Sequence, residues 1–177
     1  MKQVITLQNG SKLNEQQFIK YFEKKVFYTI RKFRLFEDIK QRPKVQELFL
    51  LTKLGKITIF HECLDDISVL VLKAMMKTNG KKELKKLLPH VSKIIRPFYL
   101  MSKEEMILYS KLKKIRYKLN NDFQVCSSGF HLQQSPKTSI NNIQDAELSS
   151  FLNELEKQQR NVKNSIVNSL LKLENLI

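Results

Sequence analysis

The 177-residue chain is 42% hydrophobic with a net charge of +15, which excludes wholesale disorder and leaves room for one domain with a sizeable core. Its only two cysteines, Cys63 and Cys126, exclude a disulfide-stapled scaffold and a self-contained Cys-x-x-Cys zinc finger. No apolar signal core opens the chain and no run approaches ~18 apolar residues, so a cytoplasmic protein without a transmembrane segment is expected.

The charge is uneven. Residues 1–60 carry 13 Lys/Arg and 5 Asp/Glu (+8), residues 61–118 carry 14 and 6 (+8), and residues 119–177 carry 5 and 6 (−1). A basic body with a near-neutral tail is the footprint of a polyanion ligand, with RNA or DNA first and an anionic membrane surface second.

Taken in order, residues 3–8 alternate weakly as a short strand, and Asn9-Gly10 signals a turn. Asn14 can cap a helix over about 15–35. There Phe18, Phe22, Val26, Ile30 and Phe33 form an apolar stripe, and Lys20, Lys24, Lys25, Arg31, Lys32 and Arg34 occupy the other faces. Pro43 suits the first turn of a helix to about Leu54, with Gly55 as its C-cap. Lys56 to Phe60 reads as a buried strand running into a helix over 64–78. That helix is apolar nearly all round (Ile67, Val69, Leu70, Val71, Leu72, Ala74, Met75, Met76), so its faces need cover from a partner or from other helices of the chain. Asn79-Gly80 terminates it. A short basic helix follows over Lys81 to Leu88, then a second strand over Lys93 to Arg96. Ser102 and Glu105 form a capping box for a helix to about Ile115. Residues 119–142 read as a polar loop, and two helices close the chain, about 143–157 and 161–176.

Several of these segments resemble, in order, the archaeal and eukaryotic-type tRNA 2-thiouridine synthetases of the PP-loop ATP pyrophosphatase superfamily. Phe18 to Val26 with Thr29 to Lys32 resembles the family's first helix. Leu64-Asp65-Asp66 resembles the end of its Gly-His-Asn-Leu-Asp-Asp motif. Ile95 to Phe98, Ser102 to Glu105 and Leu108 to Ser110 resemble its Arg-x-x-Pro-Leu strand and Glu-Lys-Glu helix. Cys126 falls where the family has a Cys-Pro, and Phe151 to Glu156 with Ser169 to Lys172 resembles its closing helices. The resemblance implies a helix-rich α/β fold: a reduced remnant of the PP-loop (adenine nucleotide α-hydrolase-like) fold, with a small parallel sheet and C-terminal helices. It implies residues 1–118 as an α/β core with a basic surface, and 143–177 as a helical pair packed on that core.

Two departures shape the functional expectation. The family holds pyrophosphate in a Ser-Gly-Gly-x-Asp-Ser loop, whose backbone N–H groups and helix N-terminus suit an anion. This chain has four glycines, at 10, 55, 80 and 129, none adjacent to another. The family's Cys-x-x-Cys, which with a later cysteine holds an iron–sulfur cluster or the sulfur, is also missing.

The resemblance implies a catalytic place for Cys126, against the plainer alternative of a free, unpaired thiol in a polar loop. It implies ATP and Mg²⁺ contacts for Asp65, Asp66 and His61. The residues alone offer a plainer account, in which two acids stabilise a helix N-terminus by about 0.3–1 kcal/mol each and Cys63 packs as a small hydrophobe. Convergence of His61, Glu62, Cys63 and the acids on a metal is not expected, because ligands at i, i+2 and i+4 on a strand-to-helix bend do not meet. The expected RNA contacts are Lys81, Lys82, Lys85, Lys86, Arg96, Lys111, Lys113, Lys114 and Arg116, against the alternative that these are solvated helix faces. The first functional expectation is a tRNA-binding, non-catalytic or split subunit of tRNA uridine thiolation. It would have no cofactor of its own, and a complementary catalytic chain would be its partner. The alternative is a small basic helical module for protein or membrane-surface contacts.

Overall fold

The computed structural model describes residues 5–6, 11–37, 42–115 and 138–174. Among them, strands β1 (Ile5–Thr6) and β2 (Lys12–Leu13) form an antiparallel ribbon that leads into helix α1 (Glu15–Lys32). Asn14 starts α1 with a reciprocal cap: its Oδ1 accepts from the Gln17 N–H, and the Gln17 side chain accepts from the Asn14 N–H, both at 2.9 Å. The expected stripe faces inward, with Phe18, Phe22 and Val26 fully buried. Removing each such side chain from water stabilises the fold by about 1.5–3 kcal/mol. Phe22 stacks on Tyr109 with ring centroids 4.3 Å apart, and Phe49 and Phe98 complete an aromatic centre.

The chain continues through α2 (Val45–Leu48), β3 (Lys53–Leu54), β4 (Ile57–Ile59), α3 (Leu64–Met75), α4 (Gly80–Lys86), β5 (His90–Val91), β6 (Ile94–Ile95), α5 (Lys103–Leu112), α6 (Thr138–Gln158) and α7 (Val162–Leu173). The fold is therefore helix-rich α/β, with seven helices and a small mixed sheet among the described residues. The sheet order is β3-β4-β6-β5. Its centre is the expected parallel pair, Thr58 opposite Ile94 and Ile59 opposite Ile95. Each of these strands also has an antiparallel hairpin partner, β3 and β5, and this makes the sheet mixed.

Several boundaries differ from the sequence reading, among them the start of α6 at Thr138, inside the stretch expected as a polar loop to 142. The helix expected to reach Leu54 stops at Leu48, and Lys53–Leu54 folds back onto β4 across a two-residue turn. Gly55 at φ +59° serves that turn and caps no helix. The apolar spacing of so short a piece fits a strand as well as a helix. The β5–β6 hairpin was not expected; Ser92 takes φ 53° in its turn. Helix α3 ends at Met75, and Gly80 opens α4 because a Cβ there would lie 2.7 Å from the Ala74 carbonyl oxygen.

The apolar helix α3 is covered by the chain itself. Helices α6 and α7 pack on it and bury Leu152, Val167, Leu170 and Leu171. Ion pairs set their directions. Asp65, at the start of α3, bonds Lys163 at the start of α7 (2.6 Å), and Lys73 near the end of α3 bonds Asp145 early in α6 (2.7 Å). Helix α7 therefore runs parallel to α3, and α6 runs antiparallel to both.

Candidate functional site

The junction after β4 lies at the carboxyl ends of the parallel pair, where ligands gather in open α/β sheets. In this chain its polar groups are engaged in holding the fold. The His61 ring Nε2 lies 2.8 Å from the Leu48 carbonyl oxygen, which can only accept, so Nε2 carries the proton. The ring thus satisfies a carbonyl at the end of α2. Burial lowers the His61 pKa; the bonds to the Leu48 and Leu51 carbonyls oppose that shift and are outweighed.

Cys63 is the N-cap residue of α3. Its N–H donates to Asp66 Oδ2 (3.0 Å), and its sulfur lies 3.1 Å from the same oxygen. Burial first, then the nearby Asp66 and Asp65 charges, push the thiol pKa well up. Asp65 accepts from the Lys103 N–H at the start of α5 (2.7 Å) and from Lys163. Lys163 also bonds Glu156 (2.9 Å) and Asn153 (2.7 Å). Burial alone would pull the Lys163 pKa down. Asp65 and then Glu156 outweigh it and hold the amine above its ordinary range. The three expected nucleotide contacts therefore cap α2 (His61), cap α3 (Asp66) and join α3 to α5 and α7 (Asp65).

Arg96 is also drawn into the fold. It is 3% exposed, pairs with Glu62 through Nε, donates to the Leu88 carbonyl (2.7 Å) and lies over the Phe60 ring. It is not part of a basic surface, contrary to the sequence reading. Tyr99, fully buried beside this pair, has a hydroxyl without a hydrogen-bond partner among the described residues.

The other expected RNA contacts divide by exposure. Lys81, Lys82, Lys85 and Lys86 are all exposed on α4. Lys86 pairs with Glu83 and Lys85 approaches Glu174 (3.8 Å), while Lys81 and Lys82 make no ion pair among the described residues. Thr78, Asn79, Lys81, Lys82 and Lys85 line an open recess of about 440 Å³. At the end of α5, Lys111 and Lys114 are exposed, but Lys113 is half-buried, 3.4 Å from Glu23 and over the Tyr109 ring. Arg116 and Cys126 lie outside the described residues.

The sequence reading did not separate the aromatics of α1 by role. The five-residue stripe is core, whereas Phe27 and Tyr28, outside that stripe, are 39% and 49% exposed. Their offset from the stripe was the available signal.

The donor sets do not fit the cofactors of the resembling family. An iron–sulfur cluster takes three or four protein ligands, mostly thiolates; the whole sequence has two cysteines, and Cys63 is buried as a thiol. The acids that would meet Mg²⁺ already accept from backbone N–H groups and Lys163. No group of three metal-ligating side chains is gathered among the described residues, and no described helix is long and apolar enough to cross a membrane.

No protein-family model matches the sequence, and no curated protein matches it. Among solved structures, the chain is similar to the U34-tRNA thiolase NcsA from Methanococcus maripaludis, determined with its 4Fe-4S cluster. The TM-score is 0.47 and the identity 18%, over 93% of this chain and 45% of that one. The chain thus spans about half the length of that structure.

Proposed function

We propose that the chain is a tRNA-binding protein related to the tRNA uridine 2-thiolation enzymes, acting as a non-catalytic or split subunit. The observation that carries the RNA reading is the α4 face, where four lysines within six residues stand exposed and three of them, Lys81, Lys82 and Lys85, line an open recess. Each lysine that meets a phosphate releases a counterion, which gives affinity and register without sequence readout. Lys111 and Lys114 extend the set. The ordered sequence segments supply the RNA class, since they follow the thiolation enzymes from the first helix to the closing pair. The internal bonds of His61, Asp65 and Asp66 support a role without autonomous ATP chemistry. A second chain would bring the phosphate loop and the paired cysteines, and the two would meet their substrate in the cytoplasm.

Titrating purified protein with tRNA and with heparin tests the reading. Tight tRNA binding that outcompetes heparin supports it; equal and weak binding to both contradicts it. An ATP–pyrophosphate exchange assay on the chain alone should show no turnover, and turnover would overturn the non-catalytic role.

A further inference from the structure

Between residues 20 and 32 of α1, every exposed side chain is basic or aromatic: Lys20, Lys24, Phe27, Tyr28, Arg31 and Lys32. Spacings of three and four place them on one side of the helix, as two adjoining rows, 20-24-27-31 and 24-28-32. The one acid of this stretch is turned away: Glu23 accepts from Tyr109 and pairs with Lys113 on the α5 side, and the neighbouring Glu105 of α5 is taken by Tyr21 and Lys25. Lys32 Nζ lies 5.8 Å from the Tyr28 ring centroid, within cation–π range.

We infer that this face of α1 is a stacking platform for unpaired nucleotides, with Phe27 and Tyr28 under the bases and Lys20, Lys24, Arg31 and Lys32 along the backbone. Two stacking rings within a track of cations are the recurrent design for single-stranded nucleic acid. The proposal rests on the RNA-binding reading and deepens it, assigning unpaired RNA to α1 and leaving phosphate-only contact to α4. An inserting membrane wedge is the competing occupant. Such a wedge needs apolar side chains standing clear of the surface. Met75 and Met76, at 66% and 74% exposed, do so; Phe27 and Tyr28 keep half or more of their surface against the protein.

The test is fluorescence anisotropy with a labelled single-stranded RNA, an RNA duplex of equal length and phosphatidylserine vesicles. Phe27→Ala/Tyr28→Ala should weaken single-strand binding roughly 30-fold or more while leaving duplex binding within about twofold. Phe27→Leu/Tyr28→Leu should show the same loss, because it keeps apolar area but not the π face. Tyr28→Phe alone should bind like the parent chain. Circular dichroism checks that each variant folds. If the parent binds both RNAs and the double variants bind them equally well or lose both alike, the platform is overturned and the RNA reading stands. If the parent binds neither RNA, both fall. If the leucine variant keeps its affinity and vesicles displace the RNA, the face is a membrane contact instead.

Discussion

Cys63 shows how one side chain can look like chemistry and serve architecture. It is 2% exposed, and burial with two neighbouring carboxylates keeps it a thiol well above the ordinary cysteine range. The thiolate is the reactive form, so native protein should take up iodoacetamide at Cys63 at least ~100-fold more slowly than urea-unfolded protein; peptide mass spectrometry reads the site. Equal rates would contradict the buried cap. His61 makes a second prediction. Its folded pKa lies below the unfolded value of about 6.5, so between the two values the unfolded state binds the proton and the folded state does not. The stabilisation is fully present above pH 6.5 and is lost as pH falls towards the folded pKa. Urea unfolding at pH 7.5 and 5.5 should show the parent losing more stability on acidification than His61→Gln.

At the scale of elements, the α6–α7 pair is fastened to α3 by buried apolar contacts and two lysine-centred clusters. Lys163 is 9% exposed at its side chain, and its partners Asp65 and Glu156 are 24% and 19% exposed. Removing one member of a well-buried pair costs 3–5 kcal/mol; with the acids partly solvated, Lys163→Ala should cost about 2 kcal/mol, measured by urea unfolding. A cost below about 0.5 kcal/mol would show that the cluster contributes nothing to docking.

Much of this arrangement was legible in the sequence. The Asn14 and Ser102 caps, the α1 stripe and the β4–α3 junction follow from spacing and local chemistry. The pairing of Lys163 with Asp65, 98 residues away, has no local signature. Nor does the folding back of Lys53–Leu54, which needs β4 as its template. The burial of Arg96 has no local signature either: in sequence it is one more cation, and only the fold brings Glu62 and the Leu88 carbonyl to it.

For the whole molecule, a chain of net charge +15 has its candidate nucleotide acids consumed internally, while α4 keeps four lysines exposed, two of which, Lys81 and Lys82, make no ion pair among the described residues. The proposed binding role rests on that contrast. The α4 lysines and the junction are both legible in the sequence as candidate sites; the exposure of Phe27 and Tyr28 on α1 is not, because exposure is set by which helices pack on which, and composition does not record it. The most direct measurement is the salt dependence of tRNA affinity for the parent and for Lys81→Ala/Lys82→Ala/Lys85→Ala/Lys86→Ala. Each phosphate contact contributes about 0.7–0.9 to the slope of log K against log salt. The account predicts a steep parent slope that falls in magnitude by about 2–3 in the variant. A parent slope near zero, or one unchanged by loss of the four lysines, would contradict it.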